Sequence, residues 1–263
     1  MGIDWSVVKA AIMRSGKLKA VKNINITHLN ELRGLDTQKS ELLANTRAFM
    51  SQSGAKAANH ALLWGEMGCG KSSLVRAIFC EYMEQNLRLI ELGKEELKSL
   101  HKVLKAASKA PKYRFIAFCD DFSFELNDSG VSELKRLLEG SIEAPPNNLL
   151  FYATTNRKHI LKQAPNNNEN YINERENSRE SLSLADRFGL HLSFYELEMR
   201  EYLALIDSLF SNFSLSQSEL ESLHKKAASF ARIKGVRSAR SAVQFYKSYQ
   251  KLSKKSALLQ IQG

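Results

Sequence analysis

Residues 65–72 read Gly65-Glu66-Met67-Gly68-Cys69-Gly70-Lys71-Ser72. This satisfies G-x-x-x-x-G-K-[ST], the spacing of a phosphate-binding loop. The glycines let the backbone curl so that successive N–H groups face one centre, and the N-terminus of a following helix adds positive potential there. Lys71 has the reach for β- and γ-phosphates, and the Ser72 hydroxyl suits Mg²⁺. The flanks agree. Ala61 to Trp64 is a short apolar run that predicts a strand. After the loop, Leu74, Val75, Ile78, Phe79, Tyr82 and Met83 follow the i, i+1, i+4 pattern of an amphipathic helix. Cys69 lies close to that helix start, where a thiol pKa can fall, although a small side chain that fits the loop is the simpler reading.

A phosphate loop alone does not separate kinases, GTPases and ATPases, so the next acids matter. Phe115-Ile116-Ala117-Phe118-Cys119 is a continuous apolar strand followed at once by Asp120 and Asp121, the first of them 49 positions after Lys71. One carboxylate at such a strand tip can hold Mg²⁺ through water, and a second can orient or deprotonate an attacking water. No N-K-x-D guanine reader occurs. Leu149 to Thr154 is another apolar strand, and it leads to Asn156, an amide placed for a γ-phosphate. Arg187 precedes a fifth strand, Leu192 to Tyr195. Arg237 and Arg240 stand at the start of a late helix.

Strands at 61–64, 87–91, 115–119, 149–154 and 192–195 alternate with helical patterns at 38–50, 74–83, 94–107 and 131–138. That alternation predicts a parallel α/β sheet of five strands with helices on both faces. After Glu196 only helical patterns remain, with Ala242, Phe245, Tyr246, Tyr249 and Leu252 on one face. Trp5, Val8 and Ile12 recur at helical spacing, so an N-terminal helix is expected, then a basic irregular stretch from Lys17 to Asn25. Residues 1–33 are thus expected as helix and basic linker, 34–196 as the nucleotide-binding core and 197–263 as a helical lid. The polar stretch Gln163 to Glu180 is expected to be a surface insertion.

Apolar residues make up 43% of the 263 positions and charged ones 25%, a globular balance that argues against wholesale disorder. The longest apolar runs fall far short of the ~20 residues a membrane span needs. Lys9 interrupts the apolar stretch Val7 to Ile12, which is unlike a secretory signal. Three cysteines cannot all pair within the chain, and their spacing is unlike a metal clamp, so a reduced, cytoplasmic setting is expected. The net charge of +10 is uneven: residues 1–33 carry +4, residues 224–263 carry ten basic residues and no Asp or Glu, and the body between carries −4. Such asymmetry makes 224–263 a candidate surface for nucleic acid or another acidic partner, with solvated lysines as the bland alternative.

Taken in order, these residues resemble an AAA+ ATPase, and closely a mostly bacterial family of AAA+ proteins recorded as a domain of unknown function. The match runs over about residues 30 to 245. It is carried by Leu32-Arg33-Gly34-Leu35-Asp36, the loop Gly65 to Ser73, Leu87-Arg88-Leu89-Ile90-Glu91, Phe118-Cys119-Asp120-Asp121, Tyr152-Ala153-Thr154-Thr155-Asn156-Arg157 and Asp186-Arg187-Phe188-Gly189-Leu190. The resemblance implies an AAA+ phosphate-loop core with an all-helical C-terminal lid that binds ATP with Mg²⁺ and hydrolyses it between subunits of a homo-oligomer. By it, Gly65, Glu66, Met67, Gly68, Cys69, Gly70, Lys71, Ser72 and Ser73 form Walker A, with Ser72 and Asp120 toward the metal. Asp121 becomes the second Walker B acid, Asn156 the sensor-1 amide and Arg187 the arginine finger. Arg237, with Arg240 as the alternative, is the sensor-2 arginine, and Leu35 lies near the adenine. Walker B usually ends Asp-Glu, and Asp121 is one methylene shorter, so Glu125 is a second candidate for activating water. The macromolecule remodelled or loaded is not named by any motif.

Overall fold

The computed structural model describes residues 2–122, 129–139, 144–156 and 183–261. The insertion expected at Gln163 to Glu180 and the candidate acid Glu125 lie outside them. The chain divides into two compact units. One comprises Met1–Glu31, Asp36–Gly65 and Lys71–Ser193, and the other Leu32–Leu35, Glu66–Gly70 and Phe194–Gly263.

The first unit is built on a mostly parallel sheet. Its strands are β1 (Ala10–Arg14), β2 (Lys17–Ala20), β3 (Ala61–Gly65), β4 (Leu87–Leu92), β5 (Arg114–Cys119), β6 (Leu149–Thr155) and β7 (Leu190–Phe194), in the order β2-β1-β4-β5-β6-β3-β7. The pairs β1–β4, β4–β5, β5–β6 and β3–β6 are parallel, and the β1–β2 hairpin is antiparallel. Helices α1 (Asp36–Met50), α2 (Lys71–Tyr82), α3 (Leu100–Ser108) and α4 (Ser129–Glu139) belong to the same unit. Every residue of β6 is buried, as are five of six in β5. Strands covered on both faces need such continuous apolar runs, which is why these two were readable.

The sheet has seven strands among the described residues, not five, and the expected N-terminal helix is not formed. Residues 10–14 and 17–20 are strands, so the segment 1–33 is no separate helix and linker. Ser15 (φ 49°) and Gly16 (φ 68°) form the two-residue turn between paired Arg14 and Lys17. A turn with both central residues at positive φ matches the twist of the strands it joins. Parallel pairing of Ala10, Ala11 and Ile12 with Leu89, Ile90 and Glu91 supplies the backbone partners that a helix would have found locally. The side chains lock it: Trp5 packs edge-on against Phe115 at 5.0 Å. Buried Arg88 donates from Nε to the Trp5 carbonyl at 2.8 Å, while its guanidinium lies 4.4 Å above the Tyr113 ring. At the start of β3, burial pushes the His60 imidazole down to about 4. The neutral ring accepts the Phe151 N–H at Nδ1, 2.9 Å away, which ties β3 to β6.

The second unit contains α5 (Met199–Leu209), α6 (Gln217–Lys234) and α7 (Ala239–Ile261). Its core is Tyr202, Leu205, Ile206, Phe210, Leu223, Ala227, Ala231, Ala242 and Phe245. Helix α6 begins with a reciprocal Ser216–Glu219 capping box and ends on Gly235 at φ 69°. Among the described residues no helix is long and apolar enough to cross a membrane.

Candidate nucleotide site

In the first unit the site begins where β3 stops. Gly65 ends the strand at φ 128°, and α2 begins at Lys71. Lys71 is only 5% exposed, and its ammonium donates to the Gly65 carbonyl at 2.7 Å. That contact turns the lysine back onto the end of β3. One residue on, the Ser72 hydroxyl lies 2.5 Å from Asp120 Oδ1. Asp120 stands just past the end of β5, and the β5–β6 register sets Cys119 beside Ala153. This register brings Thr154 within reach. Its hydroxyl donates to Asp120 Oδ1 at 2.6 Å and accepts the Asp121 N–H at 2.9 Å. Asn156 donates from Nδ2 to Asp121 Oδ1 at 2.6 Å. Arg76, one turn along α2 from Ser72, approaches Asp120 Oδ2 at 3.4 Å.

Five residues chosen from sequence therefore meet in one place: Lys71 and Ser72 at the helix start, Asp120 and Asp121 at one strand tip, and Asn156 at the next. Thr154 and Arg76 were missed. Thr154 is hidden in an apolar strand, where a threonine reads as ordinary β-branched packing; Arg76 looks like any polar position on an amphipathic helix. Asp121 sits at φ 56°, a left-handed conformation that aspartate tolerates better than most residues. Burial, and then the charges of Asp120, Asp121 and Glu91, push the Cys119 thiol up to about 12, so it stays a neutral packing group beside the acids.

Ser72 and Asp120 offer one hydroxyl and one carboxylate, both hard oxygen donors on a shared hydrogen bond. Mg²⁺ is usually held by one or two protein oxygens, its remaining ligands being water and phosphate, so this pair fits it. Among the described residues no cluster of three or more His, Cys, Asp or Glu forms an all-protein metal cage.

In the second unit, Glu66–Gly70 lies with the C-terminal helices. The Glu66 N–H donates to the Phe194 carbonyl at 2.9 Å, and the Arg240 N–H reaches the Gly68 carbonyl at 3.4 Å. Gly68 (φ 78°) and Gly70 (φ 99°) hold conformations that favour glycine, and a Cβ on Gly70 would stand 2.8 Å from Leu35 Cδ1. Leu35 is thus packed on the loop. Cys69 is buried and Met67 exposed. Arg237 and Arg240 part company. Arg240 lies against Gly68. Arg237 is tied elsewhere, its Nε donating to the Leu197 carbonyl at 2.8 Å and its guanidinium 3.1 Å from Glu196 Oε2.

Arg187 stands on a separate turn of the first unit. It sits in a turn after the helical residues 183–186, where its N–H donates to the Leu184 carbonyl. Leu184, Ala185 and Phe188 are buried around it while Arg187 itself is exposed.

A mostly parallel sheet, a glycine loop after its inner strand β3, a lysine-led helix and an acid pair just past β5 give the chain the layout of a phosphate-loop α/β fold. Residues 5–252 match the family described as protein of unknown function (DUF815), and the chain belongs to that family. No curated protein matches it. Three solved structures of Thermotoga maritima RuvB variants are similar, at 16%, 15% and 15% identity and TM-scores of 0.48, 0.46 and 0.49. They cover 84%, 86% and 86% of this chain and 71%, 72% and 73% of theirs.

Thr154→Val isolates the hydroxyl that touches both acids, because valine keeps the shape and the burial. A hydrogen bond to a charged group contributes about 1.5–3 kcal/mol. The Mg²⁺ concentration needed for half-maximal nucleotide binding should rise about tenfold or more, while Mg²⁺-free nucleotide affinity stays put. Thr154→Ser should restore the wild-type requirement. A titration of a fluorescent ATP analogue against Mg²⁺ reads both.

Proposed function

We propose that this chain is a Mg²⁺-dependent AAA+ protein that binds ATP and hydrolyses it at interfaces between copies of itself, to remodel or load a macromolecular partner. The observation that carries this reading is the chain of contacts Ser72–Asp120–Thr154–Asp121–Asn156. It sets a metal-type hydroxyl and carboxylate next to a second carboxylate whose orientation is fixed by an amide. With nucleotide bound, Mg²⁺ would neutralise phosphate charge beside Ser72 and Asp120. Lys71 binds the phosphates as a buried cation. Asp121 takes the proton of the attacking water, and Asn156 holds that carboxylate in place. Arg187 supplies positive charge to the neighbouring copy's transition state. Arg240 is the better candidate for the lid sensor, since it lies on the loop while Arg237 is neutralised by Glu196. Leu35 is proposed to face the adenine. The expected setting is cytoplasmic.

A second reading is favoured by the charge distribution alone: a nucleotide-gated nucleic-acid-binding module with little turnover, its ATP state setting affinity. Asp121→Asn tests the first reading. A neutral amide fills the same space but takes no proton, so ATP should stay bound while turnover falls below detection. Single-turnover hydrolysis and nucleotide binding are measured on the same sample. Normal turnover in Asp121→Asn, with Glu125→Gln inactive, would transfer the role to Glu125.

A further inference from the structure

Over residues 240–247, helix α7 carries core residues on one side and exposed Arg240 and Lys247 on the other. Ala242 and Phe245 are buried. Arg240, Val243, Gln244 and Lys247 are exposed. At 100° per residue Arg240 and Lys247 share one line, and in sequence Lys251 and Lys254 continue it at steps of four and three. The four positions fall within about 60° around the helix and about 21 Å along it. Among the described residues neither Arg240 nor Lys247 pairs with an acid, and no Asp or Glu occurs anywhere from 224 to 263. Helix α6 adds exposed Lys225, Lys226 and Arg232, and the Lys226 ammonium lies 5.8 Å from the Tyr249 ring of α7.

Folding does not require such a row. Like charges four apart, as at Lys247 and Lys251, oppose helix formation, and a merely solvated face ordinarily intersperses glutamates with its lysines. The row also has a fixed end. Arg240 opens α7, and its N–H is bonded to the Gly68 carbonyl in the middle of the glycine loop. Ser238 and Ser241 cap this end reciprocally: each backbone N–H donates to the other's hydroxyl, at 3.0 and 3.2 Å. A shift of Gly68 would be passed through this bond to the backbone of Arg240, the first cation of the row.

We propose that the outer face of α7 is a docking surface for the phosphodiester backbone of nucleic acid, coupled to the nucleotide loop through Arg240 and Gly68. A repeating polyanion suits a line of cations along one helix face. A lipid surface would call for several apolar side chains between them, and among the described residues 240–247 Val243 is the one exposed apolar residue. The coupling rests on the ATP-binding reading of Gly65–Ser72; the docking surface itself does not.

The test uses the full chain and its triple variant Lys247→Gln/Lys251→Gln/Lys254→Gln, which leaves Arg240 in place. Fluorescein-labelled 20-mers of single-stranded DNA, duplex DNA and RNA are titrated by anisotropy between 0.05 and 0.2 M salt, with ADP and with a non-hydrolysable ATP analogue. Binding that persists at about 0.15 M salt is expected, with a log–log salt slope that falls by about 2 to 3 in the triple variant. A difference of about fivefold or more between the two nucleotides is expected for the wild type. Loss of binding near physiological salt, or an unchanged slope in the triple variant, overturns the docking surface. So does equal competition by polyglutamate at matched charge, which would indicate an acidic protein partner. Equal affinity in both nucleotides overturns the coupling. A fluorescent ATP analogue titrated on the same samples separates the two readings: failure to bind it rejects the nucleotide site, whereas normal binding without nucleic-acid affinity rejects only the surface.

Discussion

Lys71→Ala is expected to reduce ATP affinity by about 100-fold or more while leaving the fold intact. The lysine is buried at the start of α2, and its ammonium already rests on the Gly65 carbonyl. It therefore needs little reorganisation to meet a phosphate. A charge-assisted hydrogen bond contributes about 1.5–3 kcal/mol, or roughly 10- to 100-fold, and the lost charge opposite a triphosphate adds to it. Alanine is a strong helix former, so α2 should persist. Lys71→Met, which keeps the aliphatic stem, should bind as poorly as Lys71→Ala. Binding of a fluorescent ATP analogue is measured with circular dichroism as the check on folding. Unchanged affinity in a folded variant would reject the assignment of Gly65–Ser72 as the nucleotide loop.

The legible parts of this molecule are those whose cause is local. The loop reads directly because its turns need glycine at Gly68 and Gly70 and its charge must sit at Lys71. Strands β5 and β6 read directly because burial on both faces leaves unbroken apolar runs. Strand β1 does not. Ala10-Ala11-Ile12-Met13 has no alternation, and Trp5, Val8 and Ile12 mimic a helical stripe. What decides its conformation is parallel pairing with β4, nearly eighty residues away, and a buried Arg88 that no local pattern announces. The Ser15-Gly16 turn was the available clue.

The candidate site divides the same way. Asp120 and Asp121 stand out because acids follow an apolar strand. Thr154 does not, since its value comes from a register that sets β6 beside β5, and only that register shows one hydroxyl serving both acids. The two arginines at the start of α7 are three positions apart and equal in sequence. Glu196, far upstream, separates them by occupying Arg237 and leaving Arg240 at the loop.

Arg187→Ala is expected to leave nucleotide binding intact and to lower hydrolysis by about 10³-fold or more, the range of arginine fingers. The surroundings of Arg187 suit such a role. Leu184, Ala185 and Phe188 are buried, so the turn that carries the arginine is anchored while the residue itself is exposed. A short, anchored support lets a guanidinium reach a neighbouring copy with little loss of side-chain freedom. Mixing makes the test sharp. An Arg187→Ala subunit keeps its own acids and lacks the finger; an Asp121→Asn subunit keeps the finger and lacks the acid. Where the finger of the second meets the acids of the first, one complete site forms. Equal mixtures of the two inactive variants should recover a measurable fraction of wild-type turnover, and oligomers confirmed as mixed that recover none would place Arg187 outside the reaction of a neighbour.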